Sequence, residues 1–219
     1  MSDIFQEIDE DLRRDRFTQL WKRYGNYVAA AAALIVLGTA GTVGWREYKE
    51  RQNAAQADAF LKAMEQSQSG NADAAKAAFG QLAKDAGAGY ATLARLQQAA
   101  LMAKGGDTAG AVKLYEEIAV DARVEQALRD LAVILIGQHT IDSADPAQLT
   151  QRLQPLAQDK NPWRHSAMEM QALLAKRAGD TAKAKEIYTK LADDLSAPQG
   201  LRARATEMRS RSEASAAFH

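Results

Sequence analysis

The chain of 219 residues has no cysteine, four prolines and three histidines, and aromatic residues make up only 6% of it. Without cysteine there is no disulfide framework, no thiolate metal site and no thiol nucleophile. Basic and acidic residues balance at 28 each. That balance removes the global attraction on which nucleic-acid binders draw, so no nucleic-acid partner is expected. The apolar share is 47%, most of the surplus being alanine, the best helix former. An all-α fold follows.

Charge is also absent locally. The run YGNYVAAAAALIVLGTAGTVGW, residues 24–45, holds 22 residues without a charge between Arg23 and Arg46. As a helix it reaches roughly 33 Å, enough to cross a hydrocarbon core about 30 Å thick. Trp21, Tyr24 and Tyr27 at one end and Trp45 and Tyr48 at the other sit where amphipathic rings favour the headgroup level. A single transmembrane helix over 24–45, in contact with membrane lipid, is expected. A cleaved signal peptide and a buried core helix are the alternatives. The first calls for a short basic leader, whereas residues 1–23 carry six acidic side chains against five basic ones.

Five Lys and Arg residues precede the run (Arg13, Arg14, Arg16, Lys22, Arg23) and three follow it (Arg46, Lys49, Arg51). This bias puts the N-terminus in the cytoplasm and, in a bacterium with an inner membrane, the larger part in the periplasm. The expected organisation is a cytoplasmic arm, 1–23, a span, 24–45, and a periplasmic domain, 46–219. In the arm, Ile4, Ile8 and Leu12 share one helical face, with Asp9–Arg13 and Glu10–Arg14 at the same spacing. A short amphipathic helix is predicted there, resting on the membrane surface or touching a cytoplasmic protein. Alanines 29–33, Gly38, Ala40, Gly41 and Gly44 predict close approach by another membrane helix.

The rest of the chain repeats. GNADAAKAAFGQLA (70–83), GDTAGAVKLYEEIA (106–119) and GDTAKAKEIYTKLA (179–192) align without gaps. With the glycine as position 0, each has an aromatic at 9 (Phe79, Tyr115, Tyr188), an aliphatic at 12 (Leu82, Ile118, Leu191) and alanine at 13. A fourth copy is ADPAQLTQRLQPLA (144–157), with Leu153 and Leu156 at positions 9 and 12. Each unit reads as two helices, glycine closing the first in a left-handed cap and Asp or Asn capping the second. First helices are predicted near 51–69, 89–104, 122–138 and 162–178. Asp145-Pro146 and Asn161-Pro162 mark helix starts, and a last helix bearing Arg202, Arg204, Arg209 and Arg211 runs from Ala197-Pro198 to about residue 214 as a polar cap. A helix pair of this size cannot bury its own apolar face, so four hairpins must stack into an α-solenoid with a groove.

The pairs Ala75 to Phe79, Ala111 to Tyr115 and Ala184 to Tyr188 resemble the tetratricopeptide repeat, whose second helix carries Ala-x-x-x-Phe/Tyr. The family's Trp and Leu positions on the first helices are not clearly filled. Gly44-Trp45-Arg46 with Tyr48, GYATLARLQQAALMAKGGD (89–107) and ALLAKRAGD (172–180), taken with the anchor, resemble the YfgM-like bacterial inner-membrane subunits ancillary to the SecYEG translocon. That resemblance implies a periplasmic tetratricopeptide domain associated with SecYEG. It also implies partnership with a periplasmic chaperone or prolyl isomerase and with unfolded translocated polypeptides.

No catalytic constellation accompanies the repeats. His139, His165 and His219 stand apart from any ligand spacing, so no metal, no cofactor and no enzyme activity are expected. Gly105 to Gly110 lacks both the preceding strand and the Lys-Ser/Thr ending of a phosphate loop, and reads as an interhelix turn. The apolar run Leu131 to Ile136 reads as the buried centre of the stack, as does Met170. Arg95, Gln98, Met102, Arg129, Arg164 and Met168, on first helices, are the candidate groove residues for protein binding. Membership of a Sec-linked adaptor family is the leading functional reading. A regulator of envelope stress or signalling, acting through the cytoplasmic arm, is the alternative.

Overall fold

Three glycines with left-handed backbone, Gly70 (φ +87°), Gly106 (φ +91°) and Gly179 (φ +83°), close helices and turn the chain. An L side chain would be strained at each. The computed structural model describes the backbone of residues 3–216 and, within it, the side chains other than those of residues 3–20, 24, 25, 28, 30–33 and 212–216. Among the described residues there are nine α-helices, one 3-10 turn and no strand. The helices are α1 (Asp3–Gln68), α2 (Ala72–Asp85), α3 (Ala88–Lys104), α4 (Thr108–Val120), α5 (Gln126–Thr140), α6 (Pro146–Leu153), α7 (Arg164–Arg177), α8 (Thr181–Asp193) and α9 (Gln199–Ala216). The chain divides into two compact units, Met1–Ala55 and Gln56–His219.

The described residues of the first unit lie within α1. Arm, span and first repeat helix were expected as separate elements, yet α1 runs unbroken for 66 residues. No proline precedes Pro146, and the glycines of α1 are single residues among helix formers, so nothing breaks its ladder. The described large apolar side chains from Trp21 to Tyr48 are 58–74% exposed. Thr39 donates its hydroxyl proton back to the carbonyls of Ile35 and Val36 (2.9 Å each), and Thr42 to that of Thr39 (2.9 Å). These hydroxyls need no outside partner. Trp45 leans on Tyr48, ring centroids 6.1 Å apart, and the Lys49 ammonium lies 5.7 Å from the Trp45 ring centroid. Among the described residues no helix is long and apolar enough to cross a membrane. Val28 and Ala30 to Ala33 of the expected span, and Ile4, Ile8 and Leu12 of the arm, have side chains outside the described residues.

The second unit is a tetratricopeptide-like stack. The end of α1 packs on α2 through Ala63, Phe60 and Met64; α3 pairs with α4, α5 with α6 and α7 with α8, and α9 closes the end. Its core is a row of four clusters, each formed by one hairpin and the first helix of the next. Position 9 is filled by Phe79, Tyr115, Leu153 and Tyr188, none more than 1% exposed. Positions 5 and 12 are buried beside it (Ala75, Ala111, Leu149, Ala184; Leu82, Ile118, Leu156, Leu191). On α5, Ala132 and Ile136 pack toward α4 while Ile134 packs toward α6 and α7, so the run Leu131 to Ile136 has core on two sides. Met170 is buried there too. An added Cβ at Gly137 would sit 3.0 Å from its sulfur, so the glycine admits α7 against α5.

Some helix ends differ from expectation for local reasons. Asp121 accepts the backbone N–H of Arg123 (3.1 Å) and Asn161 that of Trp163 (2.8 Å). These side-chain turns delay α5 to Gln126 and α7 to Arg164. Asp107, Asp145 and Asp180 cap their helices by accepting from Gly110, Gln148 and Lys183, but Asn71 makes no capping hydrogen bond. In the third unit Pro155 has no N–H to continue the ladder, so α6 stops after eight residues and passes into a 3-10 turn, Gln154–Ala157.

Candidate protein-binding site

Ion pairs tie two first helices, α3 and α7, to the loops that follow their hairpins. Arg95 of α3 reaches Asp121 (3.2 Å), which Arg123 also holds (2.9 Å). The Arg123 guanidinium and N–H, with Arg95, keep the Asp121 carboxyl well below the usual carboxylate range. Asp194 stands 73 residues further on, at the same repeat position. It accepts from the Ser196 hydroxyl (2.5 Å) and N–H (2.9 Å), from Arg164 (2.6 Å) and, at 3.1 Å, meets His165. Those donors, Ser196 foremost, depress its pKa in the same way. Between them, Asn161 of the α6–α7 loop donates to the buried Asp130 (2.8 Å) and the Trp163 indole to the Ala127 carbonyl (2.8 Å).

His165, Asp194 and Ser196 bring together the residue types of a hydrolytic triad without its geometry. Serine and carboxylate both face the same imidazole nitrogen, at 3.4 and 3.1 Å, and the serine proton is already given to Asp194. A triad needs them on opposite nitrogens. Among the described residues no group of three or more His, Cys, Asp and Glu stands where it could hold a metal ion.

Between successive second helices, over the first helix that separates them, lie three recesses built from equivalent positions. Ala72, Asp73, Lys76, Gln98, Met102 and Asp107 line the one between α2 and the start of α4, a volume of about 670 Å³. The next, between α4 and α6, has about 340 Å³ and is crossed by Arg152, which donates twice to Glu116 (2.5 Å each). The last, between α6 and α8, has about 570 Å³ over a floor of Leu174, Ala175 and Ala178.

The six sequence candidates do not share one recess. Gln98 and Met102 do come together, in the first. Arg95 is engaged by Asp121, and Arg164 by Asp194 and Asp159 (3.2 Å). Arg129 donates to the Val124 carbonyl and to Gln126, and Met168 packs against the α7–α8–α9 core. Sequence reading missed an aspartate at position 15 of every unit, Asp85, Asp121, Asp159 and Asp194, two of which organise the ion-pair knots. The invariant spacing was visible but lies past the end of the aligned stretch.

The profile of the tetratricopeptide repeat-like domain family matches residues 18–212. Comparison with curated proteins and with solved structures returned no match. Extent of match, helix pairing and buried repeat positions agree: the chain belongs to the family of tetratricopeptide repeat-like domains, modules of protein–protein interaction.

Proposed function

We propose that the protein is a non-enzymatic adaptor anchored in the bacterial inner membrane by residues 24–45, with its N-terminus in the cytoplasm and its repeats in the periplasm. The carrying observation is the uncharged run of 22 residues inside a continuous helix whose described apolar side chains, Leu34 to Leu37, Val43 and Trp45, are exposed. In water such a surface is unfavourable; in hydrocarbon it is matched, and the internally bonded Thr39 and Thr42 hydroxyls suit the same surroundings. Trp45, Tyr48 and Lys49 fit the far interface.

Likeness to the YfgM-like family supports placing the adaptor beside SecYEG, where the repeats bind translocated polypeptides or a periplasmic chaperone or prolyl isomerase. Gln98 and Met102, sharing a recess, are candidates for direct contact, whereas Arg95, Arg129 and Arg164 hold loops away from it. Affinity isolation of the full chain from membranes tests this. Recovery of Sec components with a periplasmic folding factor is expected; their consistent absence would overturn the Sec assignment.

A further inference from the structure

A further recess, of about 280 Å³, lies where the end of α2, the start of α3 and the α4–α5 loop meet. Three cations line it, Lys84, Arg95 and Arg123, against a single carboxylate, Asp121, which leaves two positive charges in excess. Asp121 takes one bond from the Arg95 guanidinium (3.2 Å) and two from that of Arg123 (2.9 and 3.0 Å). Lys84 has no acceptor among the described residues. Arg95 Nε is buried without a hydrogen-bond partner, a donor that an anion entering beside it would satisfy after a small turn of the guanidinium. Ala88, the first residue of α3, lines the same space, so the positive end of that helix adds to the field.

Repeat register supplies the controls. The counterparts of Lys84, Arg95 and Arg123 are Val120, Val133 and Asn161 one unit on, and Gln158, Met168 and Ser196 two units on, whereas the aspartate recurs as Asp159 and Asp194. Those later units carry their arginine one turn earlier on the first helix, Arg129 and Arg164, where α3 has Ala91. At α7 that charge is matched by two carboxylates, Asp159 (3.2 Å) and Asp194 (2.6 Å). Stacking therefore does not require the three cations, and the small Ala91 leaves room beside them. We propose that this recess binds a carboxylate from an acidic segment of a protein partner, an Asp or Glu side chain held by Lys84 and Arg123 at the mouth and by Arg95 behind them. Arg123 is 84% exposed and Arg95 20%, so the first is free to meet a partner and the second is held in place. Charge-assisted N–H to carboxylate bonds in a partly enclosed site are about twice as strong as neutral ones, and a lysine or arginine brought there would be repelled. The proposal rests on the adaptor reading and deepens it, giving the partner an acidic chemistry.

The test uses the full chain in nanodiscs of uncharged lipid, with empty nanodiscs as blank. The probe is a fluorescein-labelled, end-blocked peptide of glycine and serine around two glutamates, followed by fluorescence anisotropy. It is expected to bind, to weaken as salt is raised, and to lose about tenfold or more in affinity when its glutamates are replaced by glutamine. Lys84→Gln, at an exposed position, is expected to weaken binding about fivefold. Ala91→Glu, which sets a carboxylate of the chain's own in the recess, is expected to abolish it with unchanged helix content by circular dichroism. Lys104→Gln removes an exposed cation from the other end of α3 and is expected to leave the affinity within about twofold of wild type. If the glutamate probe binds and both Lys84→Gln and Ala91→Glu bind it like wild type, the recess assignment is overturned. It is overturned equally if the glutamine probe binds as well as the glutamate one, or if a phosphoserine version binds and the glutamate version does not. None of these results touches the adaptor reading, which stands or falls on the affinity isolation from membranes.

Discussion

The Tyr188→Phe substitution isolates one hydroxyl in the core. Tyr188 is 1% exposed, and its phenol oxygen is buried with no hydrogen-bond partner. Burial, with the Glu169 charge adding, pushes its pKa up to about 12. An unsatisfied buried hydroxyl costs on the order of 1–3 kcal/mol, and its removal gives up only the packing of one oxygen. Tyr188→Phe is therefore expected to gain about 1 kcal/mol in urea unfolding of the full chain followed by far-UV circular dichroism. The unit at 70–83 already places phenylalanine, Phe79, at this position. Tyr188→Ala should instead lose about 3–5 kcal/mol through the cavity it leaves. The alkaline limb supplies a second readout. A folded pKa above the unfolded value of about 10 makes this contribution present below pH 10 and lost as pH rises through about 12. That component should vanish in Tyr188→Phe. A loss of more than about 1 kcal/mol in Tyr188→Phe would refute the reasoning, since it would mean that the hydroxyl is satisfied in the folded protein.

Gly179→Ala, at φ +83°, should cost about 1–2 kcal/mol by chemical denaturation. Arg152→Ala removes both bonds to Glu116 from side chains that are a third or more exposed, and a loss of about 1 kcal/mol is expected in the same assay. Asp121 and Asp194 have folded pKa values below their unfolded ones. Their stabilisation is full at neutral pH and is lost as pH falls below about 4. Acid titration by circular dichroism should show this limb, and Asp194→Asn should flatten it.

Second helices were legible in the sequence and first helices much less so, for a structural reason. A second helix buries one stripe, so positions 5, 9 and 12 stand out as a single period, as in Ala184, Tyr188 and Leu191. First helices are packed on two sides, as α5 is by Ile136 and Ile134, and two stripes blur the period. Their real signature is small size. Ala63, Ala99, Gly137 and Ala172 all lie seven residues before position 0, buried where neighbouring helices come close. In an alanine-rich chain that signal is hidden by composition. Prolines misled in both directions. Pro162 marks a turn rather than the first residue of α7, and Pro155 inside an aligned copy ends α6 without displacing Leu156.

The recesses were not legible at all. They depend on which residues of three helices converge, and of the arginines chosen from first-helix polarity Arg95 and Arg164 are taken up by Asp121, Asp159 and Asp194, and Arg129 by the Val124 carbonyl and Gln126. Gln98 and Met102 share a recess because they lie one turn apart on one helix, a relation sequence spacing does carry.

Alkaline carbonate extraction of membranes from cells producing the full chain tests the anchor most directly. Retention in the membrane pellet, with release only by detergent, is the expected result. Quantitative release into the carbonate supernatant would contradict a helix embedded through residues 24–45.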